Sequence, residues 1–313
     1  MPQIAAIPVI VIAGATGTGK SALALATARA LDGVIINADS RQVYADFPII
    51  TAQPGPEDTS LVPHRLYGFL PCRDKLGAGA YAELAAAEIK AAAHSGRAPI
   101  LVGGTGLYLQ TLFFGIAPIP PVDPEISGRW QRECAAQGAP ALHALLAARD
   151  SASAARLHPN DSQRITRALE VLEGTGKPLG HWHSLPVPPS PYAVFTIIVE
   201  SPLDALAPRL ASRIDAMIHA GAEAEARVAL AKCSDPAAPG WTGIGCAELL
   251  AHITGQIDFP TCRNAWIHNT RAYAKRQITW FKRDKTAWRV TPGEKDNIVE
   301  TCRDFWGKGN LFL

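Results

Sequence analysis

The sequence lacks the features of a membrane-bound or disulfide-stabilised protein. No apolar run approaches the roughly 20 residues that a membrane-spanning helix needs, and the longest run, residues 7–13, is far too short. The first twelve residues also lack the basic region and the cleavage site of a signal peptide. The six cysteines form no C-x-x-C pair, which argues against a zinc site and a disulfide framework. We therefore predict a protein of the reducing cytoplasm that does not contact a membrane.

A strong overall charge is also absent. Thirty Lys and Arg residues stand against 28 Asp and Glu residues, which gives a formal net charge of only +2. The protein therefore cannot bind a polyanion with its whole surface, although local basic patches remain possible. Its 313 residues exceed what one hydrophobic core usually holds, so we expect one large domain and a smaller appended unit.

Strand-like and helix-like segments alternate along the chain. Short β-branched runs predict buried strands, and alanine-rich stretches between them predict helices. The predicted strands are residues 9–13, 34–36, 98–102 and 193–199, and the first predicted helices are residues 21–31 and 79–95. This alternation is typical of an α/β protein with a parallel, doubly wound sheet.

Two proline-rich stretches, residues 117–124 and 181–191, interrupt this alternation. Between them, residues 124–148 and 151–172 are predicted to be helical. We therefore expect a first core part at residues 1–117, a helical insertion at residues 118–191, and a second core part at residues 192–313. The second part is predicted to end in a long basic helix over residues 258–283.

A phosphate-binding loop follows the first predicted strand. The stretch from Gly14 to Ser21 matches the pattern G-x-x-x-x-G-K-[ST] and stands between a strand and a helix, as that motif requires. Its members are Gly14, Ala15, Thr16, Gly17, Thr18, Gly19, Lys20 and Ser21. The backbone amides and Lys20 would hold a phosphate group, and the Ser21 hydroxyl is a candidate ligand for Mg²⁺. The loop predicts a P-loop core of the ATP-binding type but does not determine which phosphate compound binds.

Further motifs, in order along the chain, resemble those of the tRNA dimethylallyltransferase family. They are Asn37-Ala-Asp-Ser-Arg-Gln-Val-Tyr44, Pro63-His-Arg-Leu66, Leu101-Val-Gly-Gly-Thr-Gly-Leu-Tyr108, the stretch from His158 to Val171, and the stretch from Thr270 to Phe281. The resemblance extends from about residue 8 to about residue 290. Two positions depart from the family pattern: Gln53 replaces a lysine, and Cys246 replaces a tyrosine.

The resemblance implies the transfer of a dimethylallyl group from its diphosphate to N6 of the adenine 3′ to the tRNA anticodon, with Mg²⁺ as cofactor. It implies a monomer whose partners are tRNA and dimethylallyl diphosphate. Thr105 and Arg213 match residues that act on the diphosphate in the family. The tRNA contacts that it implies are Asp39, Ser40, Arg41, Gln42, Gln163, Arg164, Arg167, Lys275, Arg276, Gln277 and Trp280.

Asp39 is the candidate general base. The lone pair of an adenine N6 amine is delocalised into the ring, so a carboxylate that receives the proton would assist attack. Asp39 follows a predicted strand, at the edge of the sheet where ligands of open α/β proteins bind. A structural carboxylate or a magnesium ligand is the alternative interpretation of this residue.

Basic residues are concentrated near the C-terminus. Between Arg263 and Arg289 there are eight Lys and Arg residues and one acid, Asp284, with five aromatic residues interleaved. This composition suits an RNA backbone and splayed bases, although most of the aromatic rings are expected to face the core. Arg164 and Arg167, three residues apart on a predicted helix, can reach phosphates together.

Three other functions share some of these features. A small-molecule kinase or NTPase has the same loop but needs a nucleoside pocket. A transferase that acts on free AMP needs neither the helical insertion nor the basic helix. A non-catalytic RNA-binding module leaves Lys20, Ser21 and Asp39 without a role.

Overall fold

A single parallel sheet forms the centre of the larger part of the chain. The computed structural model describes residues 6–188, 190–291 and 295–310. The sheet has six strands in the order β3-β2-β4-β1-β5-β6, and every neighbouring pair is parallel. The strands are β1 (Ile7–Gly14), β2 (Val34–Asn37), β3 (His64–Arg65), β4 (Pro99–Gly103), β5 (Tyr192–Val199) and β6 (Trp288–Val290).

Helices connect these strands and form the insertion. They are α1 (Lys20–Ala30), α2 (Pro56–Leu61), α3 (Ala78–His94), α4 (Gly106–Phe114), α5 (Pro124–Gln137), α6 (Ala139–Arg149), α7 (Ser151–Ala154), α8 (Ser162–Thr175), α9 (Leu179–His183), α10 (Leu203–His219), α11 (Ala222–Lys232), α12 (Cys246–Ile253), α13 (Phe259–Phe281) and α14 (Lys295–Asn310). Among the described residues, no helix is both long enough and apolar enough to cross a bilayer.

The sheet is covered on both faces because its central strands are apolar throughout. In β1, Val9 and Val11 face a core that α3 and α4 complete, whereas Ile10 and Ile12 face a core that α1 and α14 complete. All four side chains are almost fully buried. The predicted α/β class with a parallel, doubly wound sheet is therefore confirmed.

A second layer of helices, α10 to α13, packs around its own core. Trp241, which is 1% exposed, contacts Phe47 edge to face with ring centroids 4.9 Å apart. Cys246, which replaces the family tyrosine, is completely buried in this core at the start of α12. The substitution therefore removes an aromatic ring from the interior and exposes no new group.

The helical insertion is a compact unit that begins at Phe114 and ends before Ser190. The rest of the chain forms the other unit. Its core contains Trp130, Leu142, Leu146, Ile165 and Leu169 from α5, α6 and α8. The bounds of this unit differ by a few residues from the predicted 118–191.

Some predicted elements have different bounds in the structure. The helix predicted over 124–148 is broken at Gly138, whose φ of +81° ends α5 before α6 begins. The helix predicted over 151–172 is likewise divided into α7 and α8. Strands β3 and β6 and helix α4 were not predicted, since they are short and show neither a strand nor a helix period.

Candidate active site

The phosphate loop lies at the carboxyl end of β1, where the sheet opens. Gly14 ends the strand, and α1 begins at Lys20, so the loop amides surround the amino end of that helix. The Thr18 hydroxyl donates to the Ala15 carbonyl at 2.9 Å, and the Lys20 ammonium lies 3.4 Å from the same oxygen. Burial lowers the pKa of Lys20 to about 8, an effect that the Asp39 charge partly offsets. A bound anion would stabilise the protonated form of Lys20 at this site.

Asp39 follows β2 in a tight turn that Asn37 shapes. The Asn37 side chain accepts the Asp39 N–H at 2.8 Å and donates to the Asp39 carbonyl at 3.0 Å and the Leu66 carbonyl at 2.9 Å. One carboxylate oxygen of Asp39 accepts the Arg41 N–H at 2.8 Å. These bonds fix the direction of the carboxylate, while Asp39 itself remains partly exposed on the wall of a cavity.

Thr105 is bonded to the turn that carries Asp39. Its N–H donates to the Ala38 carbonyl at 3.1 Å, and its Oγ1 accepts the Ser40 N–H at 2.9 Å. Thr105 therefore joins the loop after β4 to the turn after β2. Tyr273 of α13 lines the same cavity as Asp39. Tyr273 was not among the predicted site residues, and no sequence motif distinguishes it from a core aromatic.

Two cavities open on either side of the phosphate loop. The first, of about 490 Å³, is lined by Lys20 and Ser21. The second, of about 290 Å³, is lined by Asp39, Ser40 and Tyr273. Arg213 of α10 lines both cavities. Burial lowers the pKa of Arg213, and the Asp39 charge acts in the opposite direction. Arg213, which is half-buried, thus borders both the cavity of the phosphate loop and the cavity of the candidate base.

Gln42 and Gln53 support the wall of the first cavity. The Gln42 side-chain amide donates to the carbonyls of Thr51 at 3.0 Å and Ala52 at 2.7 Å. It thereby holds Ala52 in a left-handed conformation, with φ of +53°, that a residue with a side chain rarely adopts. Gln53 replaces the family lysine and donates to the Tyr44 carbonyl at 2.8 Å. This cavity therefore lacks the positive charge that the family pattern places at position 53.

The Arg41 side chain, predicted to contact RNA, is bound to the protein itself. Its guanidinium donates to the carbonyls of Pro239 at 3.1 Å and Gly240 at 2.6 Å, and it lies 4.8 Å above the Tyr44 ring. The Nε atom is buried and has no hydrogen-bond partner among the described residues. Arg41 thus fixes the chain segment that continues into the wall of the second cavity.

The predicted RNA-contacting residues of α13 do not share one environment. Lys275 and Arg276 are exposed, and Arg276 extends over the Tyr273 ring at 5.7 Å. Trp280 is half-buried against the sheet core, with Arg283 at 5.6 Å from its ring. Gln277 is 3% exposed, and both ends of its amide are hydrogen-bonded to the protein.

Part of the basic C-terminal stretch is neutralised by acidic partners. Arg263 forms a two-point ion pair with Asp215, at 2.6 and 2.8 Å. Arg271 is paired with Asp204 and Arg289 with Glu200. The positive surface of α13 and the turn after it is therefore smaller than the charge count indicates. It comprises the exposed residues Lys275, Arg276, Lys282, Arg283 and Lys285.

In the helical unit, α8 exposes the three residues that were predicted to bind RNA. Gln163, Arg164 and Arg167 all lie on its solvent face, opposite the buried Ile165 and Leu169. Each arginine has an acid nearby on the same helix or its cap: Asp161 is 3.6 Å from Arg164, and Glu170 is 3.2 Å from Arg167. The Arg164–Asp161 pair is largely exposed and contributes little to stability, so Arg164 can exchange it for a phosphate. Glu170 is buried, so Arg167 also serves as its counter-ion, although the arginine itself is exposed.

The chain resembles known transferases over most of its length. The family model for IPP transferase matches residues 42–284. A tRNA dimethylallyltransferase from Oleidesulfovibrio alaskensis is 56% identical over 278 residues, which cover 89% of this chain and 91% of that relative. Another, from Nitratidesulfovibrio vulgaris, is 53% identical over 308 residues, which cover 94% of this chain and 91% of that relative.

Solved structures of similar proteins share the fold. A tRNA isopentenylpyrophosphate transferase from Bacillus halodurans superposes with a TM-score of 0.71 at 27% identity, covering 97% of this chain and 98% of that one. A eukaryotic dimethylallyltransferase acting on tRNA superposes with a TM-score of 0.77 at 27% identity, covering 95% of this chain and 77% of that one.

Proposed function

The chain belongs to the IPP transferase family and is a tRNA prenyltransferase, and we propose that it catalyses transfer through Lys20, Asp39 and Arg213. The donor is dimethylallyl diphosphate and the acceptor is N6 of the adenine 3′ to the tRNA anticodon. One observation carries the assignment of roles: the phosphate loop and Asp39 line two cavities that have Arg213 in common. A leaving diphosphate and an approaching amine can therefore meet at this residue.

The leaving group is held by positive charge and by backbone donors. Lys20, the loop amides and Arg213 surround the position of the diphosphate, and their charge offsets the charge that develops as the C1–O bond breaks. Because both cations are desolvated, their interaction with an anion is stronger than it would be at an exposed surface.

A magnesium ion coordinated by the diphosphate fits this site. The Ser21 hydroxyl lies at the phosphate loop and makes no hydrogen bond within the described residues. The same residues contain no group of three His, Cys, Asp or Glu side chains that could hold a metal on their own. In phosphate-loop proteins Mg²⁺ is held by the loop Ser or Thr together with substrate phosphates, so Ser21 and the diphosphate would hold it here. When bound, the ion would neutralise part of the leaving-group charge.

Asp39 receives the proton of the acceptor. The N6 lone pair attacks C1 of the dimethylallyl group, the C1–O bond breaks towards diphosphate, and one N6 proton passes to the Asp39 carboxylate. The turn held by Asn37 and Thr105 keeps that carboxylate in place as the C–N bond forms.

The second cavity suits a single nucleobase. Its wall combines apolar side chains, among them Ile50, Leu210 and Ile214, with polar groups at Asp39 and Tyr273. An adenine inside a stacked anticodon loop cannot reach Asp39, so the base must be flipped out to enter. The exposed cations of α13 provide contacts for backbone phosphates, and the exposed arginines of α8 provide a separate set of tRNA contacts.

We expect the protein to act as a monomer in the cytoplasm, where its tRNA substrate is found. We would incubate the protein with unmodified tRNA, dimethylallyl diphosphate and Mg²⁺, and analyse the nucleosides by mass spectrometry. The expected product is N6-dimethylallyladenosine at the position 3′ to the anticodon. Modification of free AMP in preference to tRNA, or ATP turnover without prenyl transfer, would contradict the proposal.

A further inference from the structure

We propose that Gln277 is a positioning residue of the transfer reaction, which holds the phosphate loop and the Thr105 turn in register and makes no contact with RNA. The inference rests on the proposed function. Gln277 follows the exposed Lys275 and Arg276 on α13, but its own side chain is buried.

The amide of Gln277 connects two loops that are far apart in sequence. Its Oε1 accepts the Thr16 N–H of the phosphate loop at 2.9 Å, and its Nε2 donates to the Gly104 carbonyl at 2.9 Å. The side chain is 3% exposed. A Cβ atom at Gly104 would lie 2.0 Å from Nε2, so only a glycine allows the amide to approach this closely.

Each of the two loops is connected to a group of the proposed mechanism. Thr16 lies four residues before Lys20, and Gly104 immediately precedes Thr105, which accepts the N–H of Ser40 beside Asp39. One side chain therefore sets the distance between the leaving-group site and the turn of the candidate base. A shift of about 1 Å in such a distance can lower a rate about a hundredfold.

The helix beneath the amide is itself fixed to the phosphate loop. Ala274, one turn before Gln277 and completely buried, packs with Ala15, Leu206 and Leu210 in a small apolar cluster. This packing keeps α13 in place when the amide is altered. Substitution of Gln277 should therefore disturb the two loops without unfolding the helix.

Two substitutions separate the hydrogen bonds from the packing. Gln277→Glu keeps the size and the acceptor for Thr16 but loses the donor to Gly104, and it adds a negative charge near the diphosphate. Gln277→Met keeps a similar volume and loses both bonds. Each leaves a buried partner unsatisfied, so we expect diphosphate affinity and single-turnover rate to fall about ten- to hundredfold in both variants.

The pH dependence distinguishes positioning from a general loss of structure. A protonated carboxyl can accept from Thr16 and donate to Gly104, as the amide does, and burial favours that form. The deficit of Gln277→Glu relative to wild type should therefore shrink as the pH falls from about 7.5 to about 6. The deficit of Gln277→Met should stay constant. Among the titratable neighbours, Lys20, with a pKa of about 8, stays mostly protonated over this range in wild type and both variants, and Tyr273, whose pKa burial raises, stays neutral.

The experiment measures three quantities for wild type and both variants. Inorganic diphosphate binding is followed by calorimetry with Mg²⁺ present, tRNA binding by filter retention, and transfer by single-turnover kinetics. Arg276→Gln, one residue away and exposed, is the matched control. It should weaken tRNA binding and leave diphosphate binding unchanged, whereas the Gln277 variants should do the reverse.

The outcomes are separable. Weaker tRNA binding by the Gln277 variants with normal diphosphate binding would overturn the inference and restore an RNA contact. Normal diphosphate binding and a normal rate would also overturn it. A parallel pH profile for Gln277→Glu and Gln277→Met would reduce the residue to a packing role and contradict positioning. Failure of wild type to bind diphosphate at all would instead contradict the proposed function.

Discussion

The Oγ1 atom of Thr105 accepts the N–H of Ser40 at 2.9 Å and lies 3.2 Å from the Ser40 hydroxyl, 65 residues away in the chain. This pair joins the loop after β4 to the turn that carries Asp39. In the proposed mechanism the Asp39 carboxylate has to meet a flipped base in one orientation, so we expect this bond to contribute to catalysis although neither hydroxyl has to react.

Removal of this bond should lower the rate more than the affinity. Thr105→Ala leaves the Ser40 N–H without its acceptor, and the turn can then relax, so single-turnover transfer should fall about ten- to hundredfold. Thr105→Ser keeps the acceptor and should retain most of the rate. Rates are measured by quenching single-turnover reactions that contain radiolabelled dimethylallyl diphosphate and saturating tRNA. Equal rates for the alanine and serine variants would show that the hydroxyl has no positioning role.

Lys20→Ala should nearly abolish transfer, because a desolvated cation is removed from the leaving group and little else replaces it. Lys20→Arg keeps the charge and should retain measurable diphosphate binding, although the different shape will lower the rate. Diphosphate binding is followed by calorimetry. Wild-type turnover by the alanine variant would show that the loop holds no reacting phosphate.

The affinity for diphosphate should fall as the pH rises above about 8. The ligand-free protein loses the Lys20 proton near that pH, and only the protonated lysine attracts the anion. The Lys20→Arg variant, which stays charged, should show no such fall. A flat wild-type profile between about pH 7.5 and about pH 9.5 would contradict the contact between Lys20 and the diphosphate.

The lowered pKa of Lys20 predicts that stability, unlike diphosphate affinity, increases with pH. Because the pKa of Lys20 is lower in the folded protein than its ordinary value of 10.5, the unfolded chain binds more protons between about pH 8 and that value. The contribution of Lys20 to the free energy of unfolding of the ligand-free protein therefore increases as the pH rises through this range. This contribution is measured by denaturant titrations of wild type and Lys20→Met at several pH values. The difference in free energy of unfolding between the two proteins should grow with pH.

Reversal of Arg164 and Arg167 to glutamate should weaken tRNA binding. Each lost phosphate contact should reduce the slope of log affinity against log salt concentration by roughly 0.7 to 0.9. Diphosphate binding should not change. The control is reversal of Arg29 and Lys90, which alters the net charge equally. Both residues are exposed and lie towards the C-terminal ends of α1 and α3, away from the phosphate loop. An unchanged slope for the first pair would remove α8 from the RNA-binding surface.

Local patterns in the sequence predict the four longer strands and the phosphate loop because each of these depends on neighbouring residues. A β-branched run, a glycine-rich turn and a helix are encoded within residues 9–31. The role of Gln277 is not encoded in this way, since its partners are 173 and 261 residues distant. The binding of Arg41 to the carbonyls of Pro239 and Gly240 likewise depends on chain segments that only the fold brings together. A motif thus identifies the region that matters, whereas the tertiary contacts decide which member faces the ligand.

The most direct test of the proposed mechanism is single-turnover transfer by Asp39→Asn. This change keeps the side-chain volume and the acceptor for the Arg41 N–H while removing the charge and the basicity. We predict near-normal affinity for tRNA and diphosphate and a rate lower by roughly a hundred- to ten-thousandfold, with no recovery in excess magnesium. A wild-type rate, or a rate that high magnesium restores, would contradict the assignment of Asp39 as the general base.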